Sequence, residues 1–439
     1  MKWQNERRLE LRPVSSLALY ASNPRTHTIK QIRQIADSIR EFGWTNPVLI
    51  DGDDNVIAGH GRIEAAKLLG ETQIPVLLLE HLNEAQKRAY IIADNKLAEN
   101  AGWDEALLAI ELQGLLDLEI DFDIELTGFE TGEIDVLIGS AATSEPEEVE
   151  LPDPDAPVVS RQGDLWLIGP HRILCGNTLE ANDWKILMGG DKAQMVFTDP
   201  PYNVKIAGNV SGLGNAKHRE FAMASGEMDK TDFTAFLKST FEHMAEHSCD
   251  GAIHFVCMDW RHMGEMLSAS EGVYSELKNL CVWAKTNAGM GTFYRSQHEF
   301  VFVFKNGQAK HINNFGLGEL GRHRSNLWTY AGANTFRAGR MEDLEAHPTV
   351  KPVDMIADAI LDCSKRGGLV VDGFAGSGAT LTAASRSGRV GAGIEIDPAY
   401  VDLIVKRLEK ETGEIAIHGE LFDSFEAVKT MRLVAAEKN

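Results

Sequence analysis

The sequence predicts two α/β units in tandem: a small α+β unit over residues 1–96 and a larger open-sheet unit over 161–439. Three observations carry this. Strand-like and helix-like segments alternate through 1–96, and an acidic, proline-rich run interrupts that pattern at 141–160. Beyond Gly163, two apolar strands run into special turns at Asp199 and at Gly376, as strands of a mostly parallel sheet do. At 439 residues the chain is long enough for more than one core.

In the first unit, Ile32, Ile35, Ile39 and Phe42 recur at helical spacing, and Gly43 stands where a C-terminal cap belongs. Pro47-Val48-Leu49-Ile50 predicts a buried strand, Asp51–Asp54 a turn, and Val56-Ile57-Ala58 its return. A helix at 61–70, a strand at 75–79, and a helix opening on the capping box Asn83/Gln86 follow. The turn Gly59-His60-Gly61-Arg62 leads into a helix, so exposed amides and a guanidinium suggest a phosphate cradle. Residues 97–140 predict an acidic helical extension, and 141–160 an extended linker.

The formal charge of −22 is unevenly spread: residues 97–160 hold 18 Asp and Glu and no Lys or Arg. Within 285–341 the balance reverses, with Lys285, Arg295, Lys305, Lys310, Arg322, Arg324, Arg337 and Arg340 against Glu299 and Glu319. That excess predicts an electropositive surface for a polyanion. The five cysteines are scattered without C-x-x-C spacing, so neither a disulfide framework nor a metal site is expected. Without a signal sequence or a long apolar run, the expectation is a cytoplasmic protein with no membrane partner.

Asp199-Pro200-Pro201-Tyr202 follows the apolar run Met195-Val196-Phe197-Thr198, at a strand's C-terminal end, where open α/β sheets hold ligands. The prolines stiffen the loop. The Asp199 carboxylate and the Pro200 carbonyl form an acceptor pair suited to the two N–H bonds of an exocyclic amine, and Tyr202 offers a stacking face to a flipped base. The second constellation is Val370-Val371-Asp372-Gly373-Phe374-Ala375-Gly376-Ser377-Gly378, a strand entering a glycine turn. Glu395 ends the next strand 19 residues after Gly376, near the spacing at which a carboxylate reaches ribose hydroxyls. The stretch 203–217 reads as either a closing loop or a plain surface loop. Phe293–Glu299 mixes aromatic, basic and amide groups before a core strand.

With Gly163-Asp164-Leu165-Trp166, Leu174-Cys175-Gly176-Asn177 and His347-Pro348-Thr349-Val350-Lys351-Pro352, these segments resemble the amino-directed DNA methyltransferases of the circularly permuted β group. The resemblance covers roughly 163–410. It implies a Rossmann-like domain dependent on S-adenosylmethionine, acting on adenine N6 or cytosine N4 of double-stranded DNA, with a target-recognition segment about 285–341. Aspartate in the tetrapeptide favours adenine by the family's tendency. The resemblance also implies that Asp372, Phe374, Gly376, Ser377 and Gly378 surround the methionine part of the cofactor. Glu395 would hold the ribose, Lys351 the cofactor carboxylate, and Asn177, where the family usually has Asp, the adenine. Lys285, Arg295, Arg322, Arg324, Arg337 and Arg340 would meet DNA.

Asn23-Pro24-Arg25, the helix at 29–42, Pro47–Ile50, Gly59–Arg62 and Pro75-Val76 resemble, in order, the N-terminal domain of ParB-like partition proteins. That resemblance implies a nucleotide site formed by Arg25, Gly59, His60, Gly61 and Arg62. A second copy of the chain is a further partner to consider. Other readings remain at this stage: a DNA-bound nucleotide switch with a degenerate second domain, or methylation of RNA or of a protein amide.

Overall fold

The computed structural model describes residues 9–20, 23–118, 122–139, 152, 156–204, 224, 226–285, 294–316, 318, 322–330 and 351–437. The chain divides into two compact units, Met1–Ala142 and Thr143–Asn439.

The first unit is built on a four-stranded sheet. Its elements are β1 (Leu9–Pro13), α1 (Ile29–Phe42), β2 (Val48–Ile50), β3 (Val56–Ala58), α2 (His60–Leu69), β4 (Gln73–Leu78) and α3 (Glu84–Glu99), with strand order β1-β4-β2-β3. Thr28 caps α1 by accepting from the Gln31 amide, and Gly43 ends the helix at φ +75°. The Asn83/Gln86 capping box opens α3, with both of its reciprocal bonds formed. Val48, Ile50, Ile63, Ile74 and Val76 make the core, each no more than 1% exposed.

The acidic extension is two helices rather than one run: α4 (Glu105–Asp117) and α5 (Thr131–Gly139), joined through a 3-10 turn at Ile124–Thr127. They share a core of Leu112, Ile124 and Ile134. Contacts to α1 tie them to the first unit: Gln34 Nε2 donates to the Gly128 carbonyl, and the Phe42 and Phe122 rings lie 5.8 Å apart.

The second unit is a ten-stranded mixed sheet with helices on both faces. Its chain order is β5 (Leu165–Ile168), β6 (His171–Cys175), α6 (Ala181–Met188), β7 (Ala193–Thr198), α7 (Lys230–Glu246), β8 (Ser248–Met258), α8 (Met263–Ser270), β9 (Glu276–Lys285) and β10 (His298–Lys305). It continues through β11 (Leu327–Tyr330), α9 (Val353–Cys363), β12 (Leu369–Asp372), α10 (Ala379–Arg386), β13 (Val390–Glu395), α11 (Pro398–Thr412), β14 (Ala416–His418) and α12 (Phe425–Glu437). The strand order is β11-β9-β10-β8-β7-β12-β13-β6-β5-β14.

Both faces of the sheet are covered, which is why β7 reads as a continuous apolar run. Val196 packs into one core beside Phe233, Leu237 and Phe241, while Met195 and Phe197 pack into the other beside Met355, Ile356 and Ile360. Full burial of a side chain such as Phe197 contributes about 1.5–3 kcal/mol. The consequence for function is a line of strand ends. β8, β7, β12, β13 and β6 are neighbouring parallel strands, so their C-terminal ends share one edge of the sheet.

Candidate active site

That edge collects the two constellations. Asp199 leaves β7, the glycine turn leaves β12 beside it, Glu395 ends β13, and Asn177 follows β6. Asp372 joins the first two. Only 3% exposed, it accepts from the Thr198 hydroxyl at 2.7 Å, the Phe374 amide at 2.9 Å and the Thr380 hydroxyl at 2.7 Å. Burial pushes its carboxyl up to about 6 despite these donors. Its oxygens accept from both loops and so hold them together, at the strand end where the resemblance places the methionine part of a cofactor.

Glu395 faces the glycine turn. Its Oε2 accepts from the Gly376 amide at 2.8 Å and its Oε1 from the Asp397 amide at 2.9 Å. Burial pushes this carboxyl up to about 7. The turn is open at one position. A Cβ at Gly376, where φ is +53°, would meet only the Phe374 carbonyl oxygen at 3.9 Å. A Cβ at Gly378 would sit 3.0 Å from Ile404, and one at Gly373 2.9 Å from Thr178 Oγ1. Gly378 caps α10 at φ +80°. Phe374 leans on Phe236, with ring centroids 5.9 Å apart, and the Ser377 carbonyl accepts from Arg407. Asn177 Oδ1 accepts from the Leu179 amide, while its own amide donates to Asp183. Thr178 Oγ1 is buried without a hydrogen-bond partner among the described residues. Open space above Gly376, a carboxylate beside it and an unsatisfied hydroxyl in the flanking turn fit a ribose-bearing cofactor.

Asp199 is engaged by its own protein. Lys351 Nζ donates to its Oδ2 at 2.5 Å, and the Tyr202 hydroxyl lies 2.7 Å from its Oδ1. Lys351, 5% exposed, stands immediately before α9; it also reaches Glu299 Oε2 at 3.1 Å and lies 5.3 Å from the centroid of the Tyr202 ring. Burial alone would neutralise this ammonium, but the Asp199 and Glu299 carboxylates hold it protonated, above its ordinary range. Burial and the nearby Glu299 push Asp199 upward against the pull of Lys351. Glu299 is held down at about 2: burial opposes its ionisation, but Lys351 and Lys285 outweigh it. Expected at a cofactor carboxylate, the Lys351 ammonium is here bound to Asp199 and Glu299. Glu299 was missed as a site residue because its partners lie 97 and 52 positions away in sequence, at Tyr202 and Lys351.

The basic segment is also corrected. Arg322 and Arg324 are clamped to α9: Arg322 Nη2 lies 2.9 Å from Asp362 and 3.1 Å from Asp358, and Arg324 Nε 2.8 Å from Asp362. Their side chains are 11% and 16% exposed, and they serve the fold. Lys285 pairs with Glu299. Lys305 ends β10 opposite Glu276, whereas the Asp199 edge lies at the other end of that strand, near His298 and Phe300. Arg295 is exposed at the Asp199 end, before β10. Arg337 and Arg340 lie outside the described residues, as do His347–Val350, Phe293 and most of the 203–217 loop.

In the first unit the Gly59–Arg62 turn is filled by packing. Gly59 caps α2 at φ +101°, and a Cβ there would meet Val48 at 3.2 Å. A Cβ at Gly61 would meet Ile35 at 3.0 Å and His27 at 3.1 Å. His60 has its Nε2 buried without a partner among the described residues, and burial lowers its basicity. The Arg25 guanidinium donates to the Asn95 carbonyl. Arg62 lines a cleft of about 330 Å³ with Gln31, Gln34, Ser38, Trp44 and Asn46.

Three family models match: a DNA methylase family over residues 193–406, a ParB N-terminal domain over 3–95, and a ParB-methyltransferase HTH domain over 106–162. The last spans α4, α5 and the 141–160 segment, where the sequence suggested only an acidic helical extension and a linker. The ParB-like nuclease domain-containing protein YnaK of Escherichia coli (strain K12) is 49% identical over 18% of this chain and 88% of its own length. Type II methyltransferase M2.DpnII of Streptococcus pneumoniae is 27% identical over 51% of this chain and 85% of its own. The solved M1.HpyAVI–SAM complex aligns at TM-score 0.40 with 19% identity, over 54% of this chain and 98% of that one. By these matches residues 193–406 are an N6/N4-type, S-adenosylmethionine-dependent DNA methylase domain, preceded by a ParB-type N-terminal domain and a ParB-methyltransferase HTH segment.

Proposed function

We propose that this chain transfers a methyl group to the exocyclic N6 of adenine in double-stranded DNA, on a base flipped out of the helix. The observation that carries this is the placement of Asp199-Pro200-Pro201-Tyr202 beside the open Gly376 turn, on neighbouring strand ends. S-adenosylmethionine supplies an electrophilic methyl group on a sulfonium. Phe374, Gly376, Ser377 and Gly378 form its cradle, Glu395 accepts from its ribose hydroxyls, and Asn177 bonds its adenine edge. The Asp199 carboxylate and the Pro200 carbonyl accept the two N–H bonds of the target amine and aim its lone pair along the line of attack. Asp199 then takes the proton that the methylated amine sheds, which suits a carboxyl raised above its ordinary range. Tyr202 supplies the aromatic surface for the flipped base. Arg295, Arg337 and Arg340 are the candidates for DNA contact, and the first unit recognises or positions the substrate, with Arg62 and its cleft as the candidate nucleotide site.

Cytosine N4 is the second reading, because the same acceptor pair serves any exocyclic amine; aspartate in the tetrapeptide favours adenine. The test is transfer from labelled S-adenosylmethionine to unmethylated genomic DNA, digested to nucleosides. Label in N6-methyladenine, lost in Asp199→Ala, is the expected result. Label in N4-methylcytosine instead overturns the base assignment, and absence of label overturns the reading.

A further inference from the structure

Both oxygens of Asp199 are occupied before any base arrives, by Lys351 Nζ at 2.5 Å and the Tyr202 hydroxyl at 2.7 Å. An incoming amine must displace at least one of them. Each donor has a second acceptor, and it is the same atom: Glu299 Oε2 lies 3.1 Å from Lys351 Nζ and 3.1 Å from the Tyr202 hydroxyl. The other oxygen of Glu299 is held by Lys285, from the paired strand β9. Its position therefore does not depend on Asp199.

We propose that Glu299 is a positioning residue that takes over the Lys351 ammonium and the Tyr202 hydroxyl when Asp199 turns to the target amine. This rests on Asp199 being the amine acceptor. Lys351 is too deeply buried to be left without a carboxylate partner except at a large penalty. With Glu299 in reach, one buried ion pair is exchanged for another and the exchange is close to balanced. Without it, Lys351 keeps hold of Asp199. The groups facing Asp199 are Lys351 from the segment before α9, Glu299 from β10 and Tyr202 from its own loop, with the Cys257 thiol of β8 and Asp372 of β12 nearby. Lys285 stands beyond Glu299.

The experiment is single-turnover methyl transfer to genomic DNA from pH 5.5 to 9, using the full chain and its Glu299→Gln, Glu299→Asp, Lys351→Met and Lys351→Met/Glu299→Gln variants. Binding of S-adenosylmethionine is measured on each by calorimetry. Glu299→Gln is expected to lower the plateau rate at least about tenfold. Cofactor affinity should stay within about twofold. Its acid limb should move to lower pH, because Asp199 loses a like-charged neighbour. Glu299→Asp should recover part of the rate. Once Lys351 is gone, replacing Glu299 should cost less than about twofold more. A wild-type rate and an unmoved acid limb in Glu299→Gln would overturn the proposal, as would effects that multiply in the double variant. A wild-type chain that labels no DNA instead overturns the reading of the site, and this proposal with it.

Discussion

The chain contains two glycine turns that carry a strand into a helix, and the two are put to different use. At Gly376 a side chain would enter open space next to the Glu395 carboxylate, while neighbouring Gly378 closes against Ile404. In the Gly59–Arg62 turn both glycines are closed: Gly59 against Val48, Gly61 against Ile35 and His27. Sequence gives both the same description. What separates them is whether packed side chains fill the space in front of the turn or leave one position open. The same contrast divides the charges, since Asp199 and Glu395 stand at the open edge while Arg322 and Arg324 are consumed by α9.

The sharpest test of the open edge is Asp199→Ala, which should lower methyl transfer by roughly 10²–10³-fold, the usual effect of losing a preorganised polar group at the reacting centre. Cofactor binding measured by calorimetry should persist, and an active variant would remove Asp199 from the chemistry. Arg324→Ala tests the opposite case. It removes one of the two arginines that neutralise buried Asp362 and leaves Arg322 in place, so thermal or denaturant unfolding should show a loss of about 1–3 kcal/mol. A stable variant with weakened DNA binding would return this arginine to the DNA surface.

The two turns can be set against each other directly. Gly61→Ala overpacks α1 against α2 and should destabilise the first unit by about 1–3 kcal/mol. Gly376→Ala has room for its methyl and carries only left-handed strain of about 1–2 kcal/mol. Its main effect should be on S-adenosylmethionine affinity, a loss of about tenfold. Equal effects on stability with no effect on cofactor affinity would erase the contrast.

Glu395 gives a smaller, pH-dependent effect. Burial raises it from the ordinary 4.5 to about 7, so the ionised acceptor accumulates only above that pH. Cofactor affinity should rise several-fold as pH passes upward through about 7, and Glu395→Gln should flatten the curve. The linked stability runs the other way: from about 4.5 to about 7 the unfolded chain ionises first, so this group's contribution to folding is lost as pH rises. The smallest effect concerns Arg295, the exposed cation at the Asp199 end. Arg295→Ala should reduce the salt dependence of DNA binding by about one unit of log–log slope.

Much of this site is legible in the sequence. The β7 run ending in Asp199-Pro200-Pro201-Tyr202, the Gly376 turn and Glu395 are local patterns, and each falls at a strand's C-terminal end. In the first unit α1, its Gly43 cap and the Asn83 box depend on contacts within a few residues, and they form as read. The basic window at 285–341 misleads for a physical reason. A count within a window includes Arg322 and Arg324 but not the carboxylates that neutralise them, which stand at Asp358 and Asp362 on α9.

The sequence by itself therefore determined the two segments on which the proposed chemistry rests, the Asp199 loop and the Gly376 turn, their order along the chain and the ParB-type unit before them. These follow from backbone restrictions and periodicities that act over a handful of residues. Only the tertiary structure decided which charges remain available. Lys351 meets Asp199 across 152 positions because α9, which it precedes, packs against β7, and Asp372 meets Thr198 across 174 because β12 lies beside β7. The partner of a buried charge is set by that packing, and no local pattern records it.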